Sequence, residues 1–375
     1  MNEYKRESRI LFITPLPPPV HGSAMMSQYI KDSKLLREEF DCEFVNLSTS
    51  RRMDEIGKGG VKKLLRFIGV YFTVFIKLLC HRYELCYLAI TCHGVGFLKD
   101  APFVLLCKLF GCKVVIHQHN KGMSRCVSRW PYRWLLPLVY RNTKVILLSW
   151  FLYPDIANVV NREQVMICPN GIPEFFDKEP FHERNNKVPH LLFLSNLIPS
   201  KGVYVLLDAC KILKENGYKF ICNFVGGESK EITKDTFAKA VDDRGLNDVI
   251  NYKGAQYGED KAKAFLNTNI FIFPTFYYNE CFPLVLLEAM QWSLPIVSTE
   301  EGGIPDIVRD GESGFVCMRK DANSVAEAIG RLIDDPQLRL NMGEQGFQLY
   351  NRYFTLERFE ENFVGILKQC LDRVV

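Results

Sequence analysis

Short apolar runs separated by polar, helix-length stretches recur along most of the chain. The first, Ile10-Leu-Phe-Ile-Thr14, has the length and bounds of a strand buried on both faces. Pro15 to Gly22 follows as a proline-rich loop, and Ser23 stands where it can cap a helix running to about Phe40. Cys42 to Leu47 predicts a second strand, Ser48 to Gly60 a polar loop, and Val61 to His81 a helix. Leu85 to Ile90 reads as a strand, Phe97 to Phe110 as a helix stopped by Gly111, and Lys113-Val-Val-Ile-His117 as a strand leading into the loop Gln118 to Gly122. Strand and helix alternate, which argues for a parallel sheet wrapped by helices.

A second series of the same kind starts near His190. Its strands are Leu191 to Ser195, Phe220 to Val225, Val249 to Tyr252, Ile270 to Phe273 and Leu294 to Thr299. The stretch Pro169 to Pro189, rich in Pro, Asn, Lys and Glu, separates the two series and reads as a linker. The expected organisation is α/β, with two Rossmann-like domains at 1–170 and 190–355, a linker at 171–189, and a cleft between the domains.

Composition narrows the class without changing this picture. Apolar residues make up 47% and charged residues 24%, the balance of a globular protein that buries a core. The 13 cysteines are scattered with no C-x-x-C, so they read as reduced core residues of a cytosolic protein and not as a zinc or disulfide framework. No signal peptide is read at the N-terminus. The longest uncharged apolar stretch, Phe67 to Ile76, falls short of the roughly 20 residues a membrane span needs.

Charge is uneven. Residues 1–170 carry 24 basic and 13 acidic side chains, and the remainder 23 and 30. Two stretches of the basic half, Val61 to Lys77 and Arg125 to Arg141, mix Lys and Arg with Trp, Phe and Tyr. Either they lie in the headgroup region of an anionic membrane, or they are core helices with snorkelling basic ends. The aromatics fall on apolar faces and no nucleic-acid motif accompanies them, so nucleic acid is not an expected partner.

The densest candidate chemistry lies in Asn279-Glu280-Cys281-Phe282-Pro283-Leu284-Val285-Leu286-Leu287-Glu288. Pro283 suits the first turn of a helix, where its missing N–H has no partner to lose. Glu280 then lies in the loop before the helix and Glu288 about a turn and a half inside it. Backbone N–H groups around Phe282 to Leu284 make a helix N-terminus that attracts phosphate. Lys201, in Leu194-Ser-Asn-Leu-Ile-Pro-Ser-Lys201-Gly202, lies between a strand and a helix, as a diphosphate-neutralising or simply solvated lysine would. His117 and His119 end a strand in H-x-H spacing, a poor metal site without nearby carboxylates or cysteines. No D-x-D stands at a strand end, and Asp242-Asp243 falls on a helix surface.

The E-x7-E from Glu280 to Glu288 is followed by Gly302-Gly-Ile-Pro-Asp-Ile-Val308 and Asp310-Gly-Glu-Ser-Gly-Phe315. In this order the chain resembles family 4 of the retaining nucleotide-sugar glycosyltransferases, which have the GT-B architecture. The resemblance implies sugar transfer from a UDP- or GDP-sugar to a glycan hydroxyl, with no cofactor and no metal. It implies that Glu288 binds the ribose, that Lys201 and the N–H groups at 282–284 bind the diphosphate, and that Glu280 and His119 hold the sugar. Gly22, Asn196 and Gly254 join the donor site; relatives often carry two glycines at His21-Gly22 and an arginine at Asn196. The last helix, 356–371, is implied to pack on the first domain. A lipid-linked glycan acceptor in surface polysaccharide assembly, met by a peripheral protein at the inner face of the membrane, completes the expectation. A nucleotide-sugar 2-epimerase and a non-catalytic sugar-nucleotide-binding module are the alternatives.

Overall fold

The computed structural model describes residues 8–18, 22–48, 60–175 and 188–372. His21, nearly all of the loop expected at Ser48 to Gly60 and most of the expected linker lie outside the described residues. The chain forms two compact units, one built from residues up to Gly171 together with Leu356 onward, the other from Ile172–Thr355.

In the first unit β1 (Arg9–Thr14) leads through α1 (Gly22–Asp32) and α2 (Lys34–Glu39) to β2 (Asp41–Asn46). Then come α3 (Val61–Cys80), β3 (Leu85–Leu88), α4 (Gly94–Leu109), β4 (Lys113–His117), α5 (Tyr132–Tyr140), β5 (Lys144–Leu147) and β6 (Val165–Ile167). The six strands are all parallel, in the order β2-β1-β3-β4-β5-β6. Ile10 to Ile13 are wholly buried, as a strand covered on both faces requires.

The single helix expected from Ser23 to Phe40 is in fact two. The apolar spacing continues past residue 32, but Ser33 accepts the Leu36 N–H on its hydroxyl and starts a new helix. Helix α4 begins at Gly94, earlier than Phe97, and β5 and β6 were not anticipated.

The second unit contains β7 (His190–Leu194), α6 (Val203–Glu215), β8 (Ile221–Val225), α7 (Lys234–Asp242), β9 (Ile250–Tyr252), α8 (Gly258–Leu266) and β10 (Ile270–Phe273). It continues with α9 (Leu284–Gln291), β11 (Ile296–Thr299), α10 (Ile304–Ile307), β12 (Gly314–Cys317), α11 (Ala322–Asp334) and α12 (Pro336–Tyr353). These strands are also all parallel, ordered β9-β8-β7-β10-β11-β12. Counted from the unit's own first strand this is 3-2-1-4-5-6, the dinucleotide-fold order. Its core is aromatic, with Phe193, Phe224, Phe271 and Phe273 buried.

A final helix, α13 (Leu356–Leu371), belongs to the first unit, where it packs on α2 and β4. The Lys113 ammonium at the start of β4 donates to the Cys370 and Leu371 carbonyls at 3.0 and 2.8 Å, satisfying acceptors that a helix end leaves open.

Candidate functional site

In an open parallel sheet, ligands bind outside the C-terminal strand ends where the chain order reverses. In the second unit that point lies between β7 and β10. The segment after β7 carries Lys201 and the segment after β10 carries Glu280, and the two meet: Lys201 Nζ lies 2.5 Å from Glu280 Oε2. Both side chains are largely buried, at 16% and 10% exposure, so each charge depends on the other. The Lys201 ammonium also sits 4.6 Å from the Tyr277 ring centre and 5.4 Å from that of Phe273.

Backbone close approaches hold this pair. The Phe276 N–H donates to the Ser200 carbonyl at 2.8 Å. Gly202, at φ +89°, lies so close to Pro274 that a side chain there would overlap the proline carbonyl. Gly302, at φ +58°, meets the Glu280 carbonyl in the same way, and the Gly303 N–H donates to the Cys281 carbonyl at 2.7 Å. Below them the hydroxyls of Ser298 and Thr299 donate to the carbonyls of Phe273 and Thr275. The double glycine is thus the surface against which the Glu280 loop is moulded.

Pro283 stands at the N-cap of α9, one residue before the helical turn where it was expected, and no side chain caps this helix. Leu284 and Val285 at its start are half-buried. The Phe282 ring is buried and packs edge-on against Phe354 at 5.7 Å. On α9, Glu288 receives Lys261 of α8 at 2.6 Å. Lys261 was not anticipated; in sequence it is one more basic residue on an amphipathic helix. Nor was the buried Glu301, just before the double glycine, which accepts from Arg319 at 3.0 Å.

At the ends of β7, β8 and β9, the Asn196 side-chain oxygen accepts the Gly227 N–H at 3.2 Å and the Gly254 carbonyl accepts the Gly226 N–H at 2.8 Å. Asn196 itself is exposed. Asp242, at the end of α7, is exposed as expected.

The first unit carries the remaining expected residues. His117 is fully buried and its Nδ1 lies 2.8 Å from the Tyr87 hydroxyl. Burial, reinforced by neighbouring His119, holds its pKa well below 6.5, so it is neutral. The His119 ring lies over it at 4.1 Å and is half-buried. The loop beyond His119 is pinned by Asp155, which accepts the N–H groups of Gly122, Met123 and Ser124 and the Ser124 hydroxyl. Burial pushes that carboxyl up, but these hydrogen bonds prevail and hold it below its ordinary range. Gly22 opens α1, with open space where a side chain would be. Among the described residues no three His, Cys, Asp or Glu gather as metal ligands, and no helix is long and apolar enough to cross a membrane.

Two parallel-sheet units, one with a lysine–carboxylate pair and an uncapped helix at its switch point, define a GT-B fold of two Rossmann-like domains. Residues 174–349 match the family of glycosyl transferases group 1. A related sequence is the capsular polysaccharide biosynthesis glycosyltransferase CapM of Staphylococcus aureus, 27% identical over 60% of this chain and 63% of its own length. The match therefore spans just under two thirds of that relative. Among solved structures, a glycosyltransferase from Rickettsia africae superposes with TM-score 0.75 at 15% identity, over 98% of this chain and 100% of that one. Anabaena HepE, in complex with UDP and glucose, gives TM-score 0.70 at 17% identity over 96% and 99%.

Proposed function

We propose that this protein is a retaining glycosyltransferase that moves a sugar from a nucleoside diphosphate sugar to a hydroxyl of a glycan acceptor in polysaccharide biosynthesis. The observation that carries this is the Lys201–Glu280 pair at the switch point of the second unit, beside the uncapped start of α9. A diphosphate arriving there meets the ammonium and the N–H groups of Leu284 and Val285, and a departing anion is stabilised by groups already oriented. Glu280, released from Lys201 by the phosphate, is free to accept sugar hydroxyls. Glu288 takes the ribose, and Asn196 and Gly254 border the donor from the β7–β9 side. His119 contributes a sugar contact. No metal is required, because lysine and helix dipole supply the positive charge.

Two relatives support this reading. HepE was solved with UDP and glucose, which favours uridine in the donor, and CapM is named for capsular polysaccharide biosynthesis. Retention follows from front-face attack, the leaving phosphate taking the acceptor's proton. The acceptor is a lipid-linked oligosaccharide, and the setting is cytoplasmic, peripheral to the inner face of the cell membrane.

The test is a thermal-shift panel of UDP, GDP and ADP and their sugars, with magnesium or with EDTA. A ligand that binds only the folded state raises the midpoint, with a stabilisation that grows as the logarithm of one plus its concentration over Kd. UDP and one UDP-sugar should shift it equally with and without EDTA, and Lys201→Ala should abolish the shift. A shift that needs magnesium overturns the metal-free site, and no shift with any nucleotide overturns the donor site.

A further inference from the structure

In the first unit, right-handed crossovers put α3, α4 and α5 together on one face of the sheet, and α4 touches both neighbours. Helix α3 has two unlike faces. Its inner stripe, Phe67, Tyr71, Val74 and Leu78, faces the unit, with the first two rings 5.5 and 5.6 Å from Phe103 of α4. The outer stripe of an ordinary surface helix is polar. Here it consists of Leu64, Leu65, Ile68, Phe72, Ile76 and Leu79, each at least 40% exposed. Leu65, Ile68, Phe72, Ile76 and Leu79 recur three or four apart, with Leu64 beside Leu65, and form one apolar strip along a helix about 30 Å long. Leu109 at the end of α4 and Trp134 and Leu138 on α5 are exposed as well. Apolar patches of this extent on a protein surface mark an interaction site.

Charge identifies the occupant. Every charged residue of α3 is basic, and helices α3, α4 and α5 together carry seven Lys and Arg against one acid, the buried Asp100. Arg133 lies 5.0 Å over the Trp134 ring, and Trp130 and Trp134 are 79% and 67% exposed. A protein partner has no need of such one-sided charge over so long a stretch. An anionic bilayer does: it attracts Lys and Arg at its surface, takes Trp at headgroup depth, and receives an apolar helix face lying in the interface plane.

We infer that the α3–α5 face of the first unit docks on an anionic lipid bilayer, with the outer strip of α3 sunk to the boundary of headgroups and acyl chains. The inference deepens the acceptor part of the proposed function without depending on it, because vesicle binding needs neither nucleotide nor turnover. The experiment is flotation of the full chain with vesicles of phosphatidylcholine alone or mixed with phosphatidylglycerol, nucleotide-free.

Binding to the anionic vesicles should be about tenfold or more tighter than to the neutral ones, weaken with salt, and shift tryptophan emission to the blue. Leu65→Glu and Phe72→Glu should each weaken it about tenfold or more. Tyr257→Glu, equally open to solvent on the second unit, should leave it unchanged. The substituted α3 positions face solvent, so the thermal midpoint should hold; Leu65→Gln, a milder change, should weaken binding in the same direction. The inference is overturned by equal binding to both vesicles, by binding to neither, or by binding indifferent to Leu65→Glu and Phe72→Glu. It is also overturned by a stable dimer that Phe72→Glu splits, because a second copy would then cover the strip.

Discussion

At the end of β10 a carboxylate meets a lysine; at the end of β4 a histidine meets a tyrosine. Both are C-terminal edges of six-stranded parallel sheets. In the second unit these groups are charged and matched in pairs, Lys201 with Glu280, Lys261 with Glu288 and Arg319 with Glu301. In the first the groups at the end of β4 itself are neutral, His117 against Tyr87 and Gln118 donating to the Tyr140 hydroxyl at 2.6 Å, and the nearby Asp155 carboxylate is spent on backbone N–H groups of the loop. In the proposed function these ion pairs open to admit a phosphate and a ribose, exchanging one set of charge contacts for another. A buried neutral cluster has nothing comparable to exchange, and serves to hold its loop in shape. One strand pattern supports both because binding chemistry lies in the loops beyond the strands and not in the sheet.

The largest effect that can break this comparison is on Lys201. Lys201→Ala should lower kcat/KM for sugar transfer by about a hundred- to a thousandfold, the usual cost of losing one group that stabilises a leaving anion. Steady-state kinetics with the donor found by thermal shift would check it. A loss below tenfold would mean that the second edge is no more catalytic than the first.

Next in size is Gly302→Ala. It forces a side chain into both the left-handed backbone region and the Glu280 carbonyl, and should cost about 2–4 kcal/mol of stability in urea unfolding. Donor binding should weaken with it, since the Glu280 loop has to move.

The smallest is a pH effect in the first unit. His117 has its pKa depressed by burial and by His119, so the unfolded chain takes up its proton more readily than the folded one. Stability should be fully present above pH 6.5 and fall as the pH drops below it, by at most about 1.4 kcal/mol per pH unit. His117→Gln should flatten that acid limb in a midpoint-against-pH series while leaving the nucleotide-induced shift unchanged. If it abolished the shift, the division between a charged binding edge and a neutral structural edge would fail.

The sequence reveals local order well and long-range partnership poorly. Ile270 to Phe273 is legible as β10 because four apolar residues end at a loop and a proline, and the same signal places Glu280 before α9 and Glu288 within it. The break at Ser33 is hidden because apolar spacing runs on through it. Strands β5 and β6, four and three residues long, are no shorter than β10 and β9, so their length does not explain why they stay hidden. Lys261 and Arg319 look like any solvated cations, because what distinguishes them is a carboxylate 27 or 18 residues away in sequence. For α3 the limit is of another kind. A helix with so many apolar residues reads the same whether or not its own chain covers it, and only the exposure of Leu65 and Phe72 shows that this chain leaves one face open.

Helix α13 bears on how the molecule comes to be made. It supplies a wall of the first unit and caps its last carbonyls with Lys113, yet it emerges from the ribosome only after all of Ile172–Thr355. During synthesis the second unit has its whole sequence available before the first does. The first unit must therefore wait, with one face of its sheet uncovered, for the helix that completes it, so the order of folding is expected to run against the order of translation.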